Sequence, residues 1–336
     1  MDSKDRALLE FMQTHFPLVP FPYQALGESV GLPEREVIER VRRLKQGGIV
    51  RQVGAIFDSS RLGYRSALVA LEVDPTDLDR VGRCLNAHPG ISHNYVRDHR
   101  YNLWFTLTLP WKQDLEGEAA RLAEQVGARD FLYLPARTVF KIGLVLKLGE
   151  TGEETAAALP LAEAYAPRAE ARAFSEQEVR AVRALQRDLP LQSRAFLPLA
   201  RTAGMEEDDL LKLARAFLAE GIMRRYAATL DHRRAGFRYN FLVLWPAEEG
   251  RLEEMGKKLA ALEEVSHCYE RTSYPRWPFS LYAMFHARSR KEADRILLSL
   301  AAISGKRDYL VLETVREFKK ERVRYFEEGE NGTEVG

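Results

Sequence analysis

The chain carries one long pattern twice, and this duplication constrains its fold more than any other feature. The first copy reads Gly48-Ile49-Val50-Arg51-Gln52, then Asp58, then Gly63-Tyr64-Arg65, then Ser92-His93-Asn94-Tyr95-Val96-Arg97. The second reads Gly221-Ile222-Met223-Arg224-Arg225, then Asp231, then Gly236-Phe237-Arg238, then Ser266-His267-Cys268-Tyr269-Glu270-Arg271. Ile49 and Ile222 are 173 residues apart, and His93 and His267 are 174 apart. So steady a register marks one domain-sized unit duplicated or fused, not a solenoid of short repeats. Each half must cover its open apolar face. The halves are therefore expected to pack on each other as an intrachain pseudo-dimer, with a further homodimer left open.

Local patterns divide each half in two. Leu8, Leu9 and Met12 recur at helical spacing. Residues 24–30, a turn at Gly31-Leu32-Pro33 and residues 34–46 read as a helix-turn-helix. Gly47-Gly48 ends it, and residues 49–58 read as an extended wing. After Gly63 the period changes to two. Strands are expected over 66–73, 91–97, 103–109, 131–134 and 139–148, and helices over 76–87 and 112–126. That order is the ferredoxin-like split unit, βαββαβ.

The second copy repeats it, with helices over 176–188, 193–203 and 206–220. Strands follow over 240–245, 265–271, 279–286 and 309–312, and helices over 251–262 and 290–303. The fold class is α+β, a winged helix-turn-helix plus a ferredoxin-like unit in tandem. The expected boundaries are 1–62 and 63–148, a linker at 149–173 rich in Ala, Glu and Pro, then 174–235, 236–326 and a frayed acidic tail at 327–336.

Composition narrows the function. Lys and Arg total 50 against 49 Asp and Glu, so the basic surplus usual for DNA-binding chains is missing. A helix-turn-helix reads DNA with the start of its second helix. Here those starts are Pro33-Glu34-Arg35-Glu36 and Glu206-Glu207-Asp208-Asp209, whose carboxylates repel phosphates. The module is expected to serve packing or dimerisation, and no specific DNA partner is expected. Cys84 and Cys268 sit in different copies, which argues against a disulfide framework or a zinc site. No apolar run has membrane-spanning length, and Met1-Asp2-Ser3-Lys4-Asp5 does not open like a secretion signal, so a cytoplasmic protein without a membrane partner is expected.

The polar residues kept between copies point to a site. On a strand, His93, Tyr95 and Arg97 share one face, as do His267, Tyr269 and Arg271. A single histidine is more often structural. Two identical rows of imidazole, phenol and guanidinium are hard to explain by packing. Arginines cluster near the wings: Arg51 and Arg65 in one copy, Arg224, Arg225 and Arg238 in the other, with His232 beside them. For each arginine alone a surface salt bridge is the simpler reading. Together they suit a ligand bearing several carboxylates. No phosphate loop, Cys-x-x-Cys pair or nucleophile elbow occurs.

The helix-turn-helix and ferredoxin-like half together resemble the AsnC/Lrp regulators. Arg51-Gln52-Val53-Gly54-Ala55-Ile56-Phe57-Asp58, Ser92-His93-Asn94-Tyr95 and Asn102-Leu103-Trp104-Phe105-Thr106 are similar to the siroheme decarboxylases, a family built on that fold. The resemblance spans nearly the whole chain and is stronger in the first copy. It implies removal of two acetate carboxylates from siroheme, giving 12,18-didecarboxysiroheme, on the way to d1-type heme or to protoheme. The two subunits are separate in many organisms, and this chain looks like their fused form.

The resemblance further implies siroheme as the partner and no cofactor beyond the substrate's own iron. His93, Tyr95 and His267 are the candidates for proton transfer, and His93 or His267 for holding the iron. Arg51, Arg65, Arg97, Tyr101, Arg224, Arg225, His232, Arg238, Tyr269 and Arg271 are the candidates for holding the substrate. The rival expectations are a transcription regulator of AsnC/Lrp type and a heme-binding sensor without turnover.

Overall fold

The computed structural model describes residues 1–143, 172–246, 250–304 and 308–327. Most of the expected linker and nearly all of the expected tail lie outside these residues.

Helices α1 (Ser3–Thr14), α2 (Pro22–Val30) and α3 (Glu34–Gln46) build the first helical module. Asp2 caps α1 by accepting from the Asp5 backbone N–H, and Gly31 closes α2 in the left-handed conformation that a side chain resists. After Gly48, strand β1 (Val50–Phe57) leaves the module. The barrel half follows as β2 (Tyr64–Glu72), a 3-10 turn, α4 (Leu78–Asn86), β3 (Ile91–Arg97), β4 (Leu103–Pro110), α5 (Leu115–Val126) and β5 (Asp130–Ile142).

The second half repeats this order. Its helices α6 (Glu176–Leu185), α7 (Leu197–Thr202) and α8 (Glu207–Ala219) lead into β6 (Met223–Leu230). Then come β7 (Tyr239–Pro246), α9 (Leu252–Ala260), β8 (Val265–Arg271), β9 (Phe279–Ala287), α10 (Arg290–Ser304) and β10 (Leu310–Lys320).

The halves are joined at three levels. First, the helical modules share one core, in which Leu9, Met12 and Tyr23 pack with Leu185, Phe196 and Phe217. The start of each second helix is occupied. Ser193 donates to Glu34 across the halves, and buried Glu207 pairs with Arg194. Second, β1 and β6 pair antiparallel, so the two expected wings form one ribbon. Asp58 N–H donates to the Ile222 carbonyl and Asp231 N–H to the Ile49 carbonyl, each at 2.8 Å, which closes both ends alike.

Third, eight strands close a barrel in the order β10-β3-β4-β2-β5-β8-β9-β7. Closure depends on two strands that cross between halves. β5 pairs with β2 through residues 130–135 and with β8 through 136–142. β10 pairs with β7 through 310–313 and with β3 through 314–320. The expected separate strands at 131–134 and 139–148 are thus one strand as far as Ile142, and the strand expected to end at Leu312 continues to Lys320. Alternation alone did not reveal these extensions because their partners lie in the other half.

Helices cover the outside of the barrel, where Val69, Leu71, Leu103 and Phe105 pack beneath α4 and α5. Two glycines let the crossing strands in. A Cβ on Gly82 of α4 would lie 2.7 Å from the Phe318 ring, and one on Gly256 of α9 would lie 2.4 Å from the Phe140 ring. Each phenylalanine sits on a crossing strand and packs against a helix of the opposite half.

Inside, Ala70, Trp104, Leu132, Leu134, Leu242, Leu244 and Leu312 fill the barrel, as expected for eight strands. The longer loop of the second copy places Trp277 against His99, Tyr101 and Trp104 of the first, with ring centroids 5.3–5.8 Å apart. Its indole N–H donates to the Tyr282 hydroxyl at 2.7 Å. One end of the barrel is thereby plugged, and the polar end lies toward the ribbon.

Candidate active site

The two histidine rows face the barrel interior. Asn94, between His93 and Tyr95, turns outward to the Asn86 side chain and the Gly82 carbonyl on α4. The His93 and Tyr95 rings are 6.0 Å apart, and the Arg97 guanidinium lies 5.9 Å from the Tyr95 ring. His267 and Tyr269 repeat this at 6.1 Å, and Arg271 lies 4.6 Å from Tyr269. Arg97 donates to the Leu312 carbonyl and Arg271 to the Leu134 carbonyl. Neither has a carboxylate partner among the described residues. Burial alone lowers Arg97 to about 10 and lowers Arg271 as well.

At the open end the rows diverge in their surroundings. His93 pairs across the sheet with Lys320, and Tyr95 with Glu317. The corresponding partners of His267 and Tyr269 are Ile142 and Val139. Lys320 Nζ lies 2.8 Å from His232 Nδ1. The His232 and His286 rings are 5.0 Å apart, and His286 Nε2 is 3.1 Å from the Asn240 amide. In the first copy the pair matching Asn240 and His286 is Ser66 and Thr108, bonded hydroxyl to hydroxyl at 2.7 Å. The two histidines therefore differ in their cross-strand partner, Lys320 for His93 and Ile142 for His267.

A cleft of about 330 Å³ opens here, between the ribbon, β3 and the end of β10. The ribbon contributes Arg51, Gln52 and Thr229, β3 contributes His93, and the last stretch contributes Lys320, Glu321, Arg322 and Arg324. Arg322 is anchored to the ribbon through the Ala55 and Ala227 carbonyls. Arg51 bridges Asp231 at 2.7 Å, Glu317 at 2.8 Å and the Lys320 carbonyl at 3.0 Å.

Burial dominates the electrostatics. It lowers His93 to about 4, helped by Lys320 and Arg51. It lowers His267 to about 3, helped by His93 and Lys320, and His232 to about 3, helped by Lys320. It lowers Lys320 to about 8, with Arg51 adding to the effect and Glu317 opposing it. It raises both Tyr95 and Tyr269. All three imidazoles are therefore neutral at pH 7.

The structure brings His93, Tyr95, Arg97, His267, Tyr269, Arg271, Arg51 and His232 to the open end and the interior behind it. Arg225 is half-buried on the ribbon, lowered to about 10 by burial and then Arg224. Arg224 is committed to Asp58 at 2.9 Å.

Three expected residues lie elsewhere. Arg65 is exposed on β2 and donates to the Trp111 and Gln113 carbonyls. Tyr101 is at the plugged end, its hydroxyl donating to Asp130. Arg238 is exposed after the turn that follows β6. Their nearness in sequence to the repeated motifs did not carry into space. Sequence reasoning missed Lys320, Glu317, His286, Arg322 and Arg324. The basic run from Arg316 to Arg324 was the available signal.

Fold and cleft together define the class: a paired ligand-binding protein of AsnC-like architecture, whose helix-turn-helix modules pack on each other. An AsnC-like ligand-binding domain matches residues 61–141 and 234–319, and the siroheme decarboxylase NirDL-like HTH domain matches residues 5–51 and 178–224. The chain belongs to the siroheme decarboxylase family.

A siroheme decarboxylase of Hydrogenobacter thermophilus is 36% identical over 329 residues, covering 98% of this chain and 96% of that one. The alpha subunit of the enzyme from Desulfovibrio desulfuricans is 45% identical over 142 residues, covering 42% of this chain and 82% of its own length, consistent with this chain being the fused form. The crystal structure of the siroheme decarboxylase NirDL in co-complex with an iron-uroporphyrin III analogue matches with a TM-score of 0.70 at 32% identity, over 97% of this chain and 95% of that one.

Proposed function

We propose that this chain decarboxylates siroheme at the cleft beside His93, acting as a carboxy-lyase on two acetate side chains. The observation that carries this reading is the meeting of four cationic side chains and His93 around one cleft. At about 330 Å³ the cleft is at the small end of ligand pockets, so it admits one edge of a macrocycle. Arg324, exposed and with no acidic partner among the described residues, pairs with a carboxylate of that edge, and Arg51 and Arg322 add positive charge beside it. Arg97 and Arg271, deeper in the barrel and with no carboxylate partner among the described residues, draw ligand carboxylates inward.

Hydrogen bonding separates the two histidines. Ser266 Oγ donates to the Met284 carbonyl at 3.1 Å, so its single proton is used. His267 Nδ1 must then donate to Ser266 Oγ, 3.0 Å away, which leaves Nε2 with a lone pair that would be able to hold the substrate's iron. Ser92 Oγ has His93 Nδ1 at 2.9 Å as its side-chain partner, so His93 is not held in that tautomer. The carbon–carbon electron pair freed by loss of carbon dioxide enters the conjugated macrocycle, and no separate cofactor is required.

The test is anaerobic incubation with siroheme followed by mass analysis of the tetrapyrrole. Loss of two carbon dioxide units is expected. Siroheme retained unchanged would overturn the reading in favour of a binding protein without turnover. The second-helix starts are acidic, with Glu34 and Glu36 in one copy and Glu206, Glu207, Asp208 and Asp209 in the other, which disfavours DNA as a partner under this proposal.

A further inference from the structure

Decarboxylation is complete only when a proton reaches the former methylene carbon. We infer that Lys320 is the residue that gives it. This rests on the cleft's being where siroheme reacts.

Of the residues lining the cleft, the three arginines hold their protons too tightly to act as acids at neutral pH. Burial holds His93 at about 4, so near pH 7 it has no imidazolium proton to give. Gln52 and Thr229 are not acids of useful strength, and Glu321 is exposed to solvent. Lys320 remains, a charged group that is able to release a proton near neutral pH.

Geometry supports the role independently. Lys320 stands directly across the sheet from His93, and its ammonium is held at 2.8 Å by His232, whose neutral ring accepts through Nδ1. None of this equipment recurs in the other half. Ile142 replaces Lys320 opposite His267, Val139 replaces Glu317, and Ser59 follows Asp58 where His232 follows Asp231. A duplicated fold does not need these groups for packing, since its second copy closes without them.

The surroundings set the charge of Lys320. Glu317 on its own strand and Asp231 beyond β6 favour the ammonium. Arg51 from β1 and Arg233 beyond β6 oppose it. The imidazoles of His93, His267 and His286 on β3, β8 and β9 face it as neutral rings.

In the step, the bond between methylene and carboxylate breaks and carbon dioxide leaves. The electron pair stays on the methylene and spreads into the macrocycle. An N–H bond of Lys320 then breaks as the new C–H bond forms, giving a methyl group and a neutral amine. Water entering the cleft recharges the amine before the second acetate reacts.

The test compares wild type and Lys320→Arg in siroheme binding and in turnover across pH. The arginine keeps the charge and withholds the proton. Near-normal affinity is expected, with turnover reduced roughly 10²–10⁴-fold. Wild-type turnover should fall as pH rises through about 8, and that limb should be absent from the variant. A Lys320→Arg protein as fast as wild type overturns the assignment, while a wild type that leaves siroheme unchanged overturns the reading of the cleft as well. Lys320→Ala provides a second measurement: ethylammonium should restore its turnover. A siroheme-binding Lys320→Ala protein that ethylammonium does not restore would count against Lys320.

Discussion

Exchange of two strands holds the barrel closed, and Gly256→Ala tests it at one atom. A Cβ there would lie 2.4, 2.5 and 2.6 Å from three ring atoms of Phe140. Ordinary contact begins near 3.4 Å, so the ring or the helix must move by close to 1 Å. Phe140 is buried, and Leu259, Val265 and Phe285 surround it in the same core, which restricts that movement. Overpacking of this kind costs about 1–3 kcal/mol. Alanine in place of glycine inside α9 recovers about 1 kcal/mol of helix propensity.

The net expectation is a loss of up to about 2 kcal/mol, read as an earlier urea midpoint with an unchanged slope. The double variant Gly256→Ala with Phe140→Leu should recover part of the loss, giving a coupling of about 0.5–3 kcal/mol. A Gly256→Ala protein more stable than wild type would refute the argument, because propensity would then have outweighed contact. Strictly additive effects would show that the ring and the helix do not meet.

Three further outcomes follow from the same structure. His93, His232 and His267 are held below their ordinary 6.5, at about 4, 3 and 3, so the unfolded chain binds more protons than the folded one in that range; stability should fall as pH drops from about 6.5 toward 4, and less steeply in His93→Gln, whereas an identical pH profile for the two proteins would contradict their burial. Arg324 lines the cleft and is exposed, with no acidic partner among the described residues, so Arg324→Ala should weaken siroheme binding roughly tenfold in a spectroscopic titration without altering thermal stability, and an unchanged affinity would remove it from the site. Trp277 plugs the far end of the barrel at 2% exposure, so Trp277→Ala should cost about 3–5 kcal/mol in chemical denaturation, and a loss below about 1 kcal/mol would mean the plug is dispensable.

The sequence by itself determined the duplication, the order of elements and the two inward rows. These are local properties. Helices announce themselves through Leu8, Leu9 and Met12, strands through alternation, and the shared face of His93, Tyr95 and Arg97 follows from the pleat. Strands β3 and β8 were legible to the residue.

Tertiary structure decided what the rows face. Nothing local indicates that β10 continues past Leu312 to pair with β3, or that β5 runs on to β8, because those partners lie more than a hundred residues away. That pairing sets Lys320 opposite His93 and Ile142 opposite His267, and so makes two nearly identical motifs unequal. Charges are equally non-local. Arg51, Arg65 and Arg224 look alike in sequence, yet one joins Asp231 and Glu317, one caps a loop at the surface and one joins Asp58. A guanidinium binds whichever acceptor the fold brings within about 3 Å, and only the closed barrel brings them there.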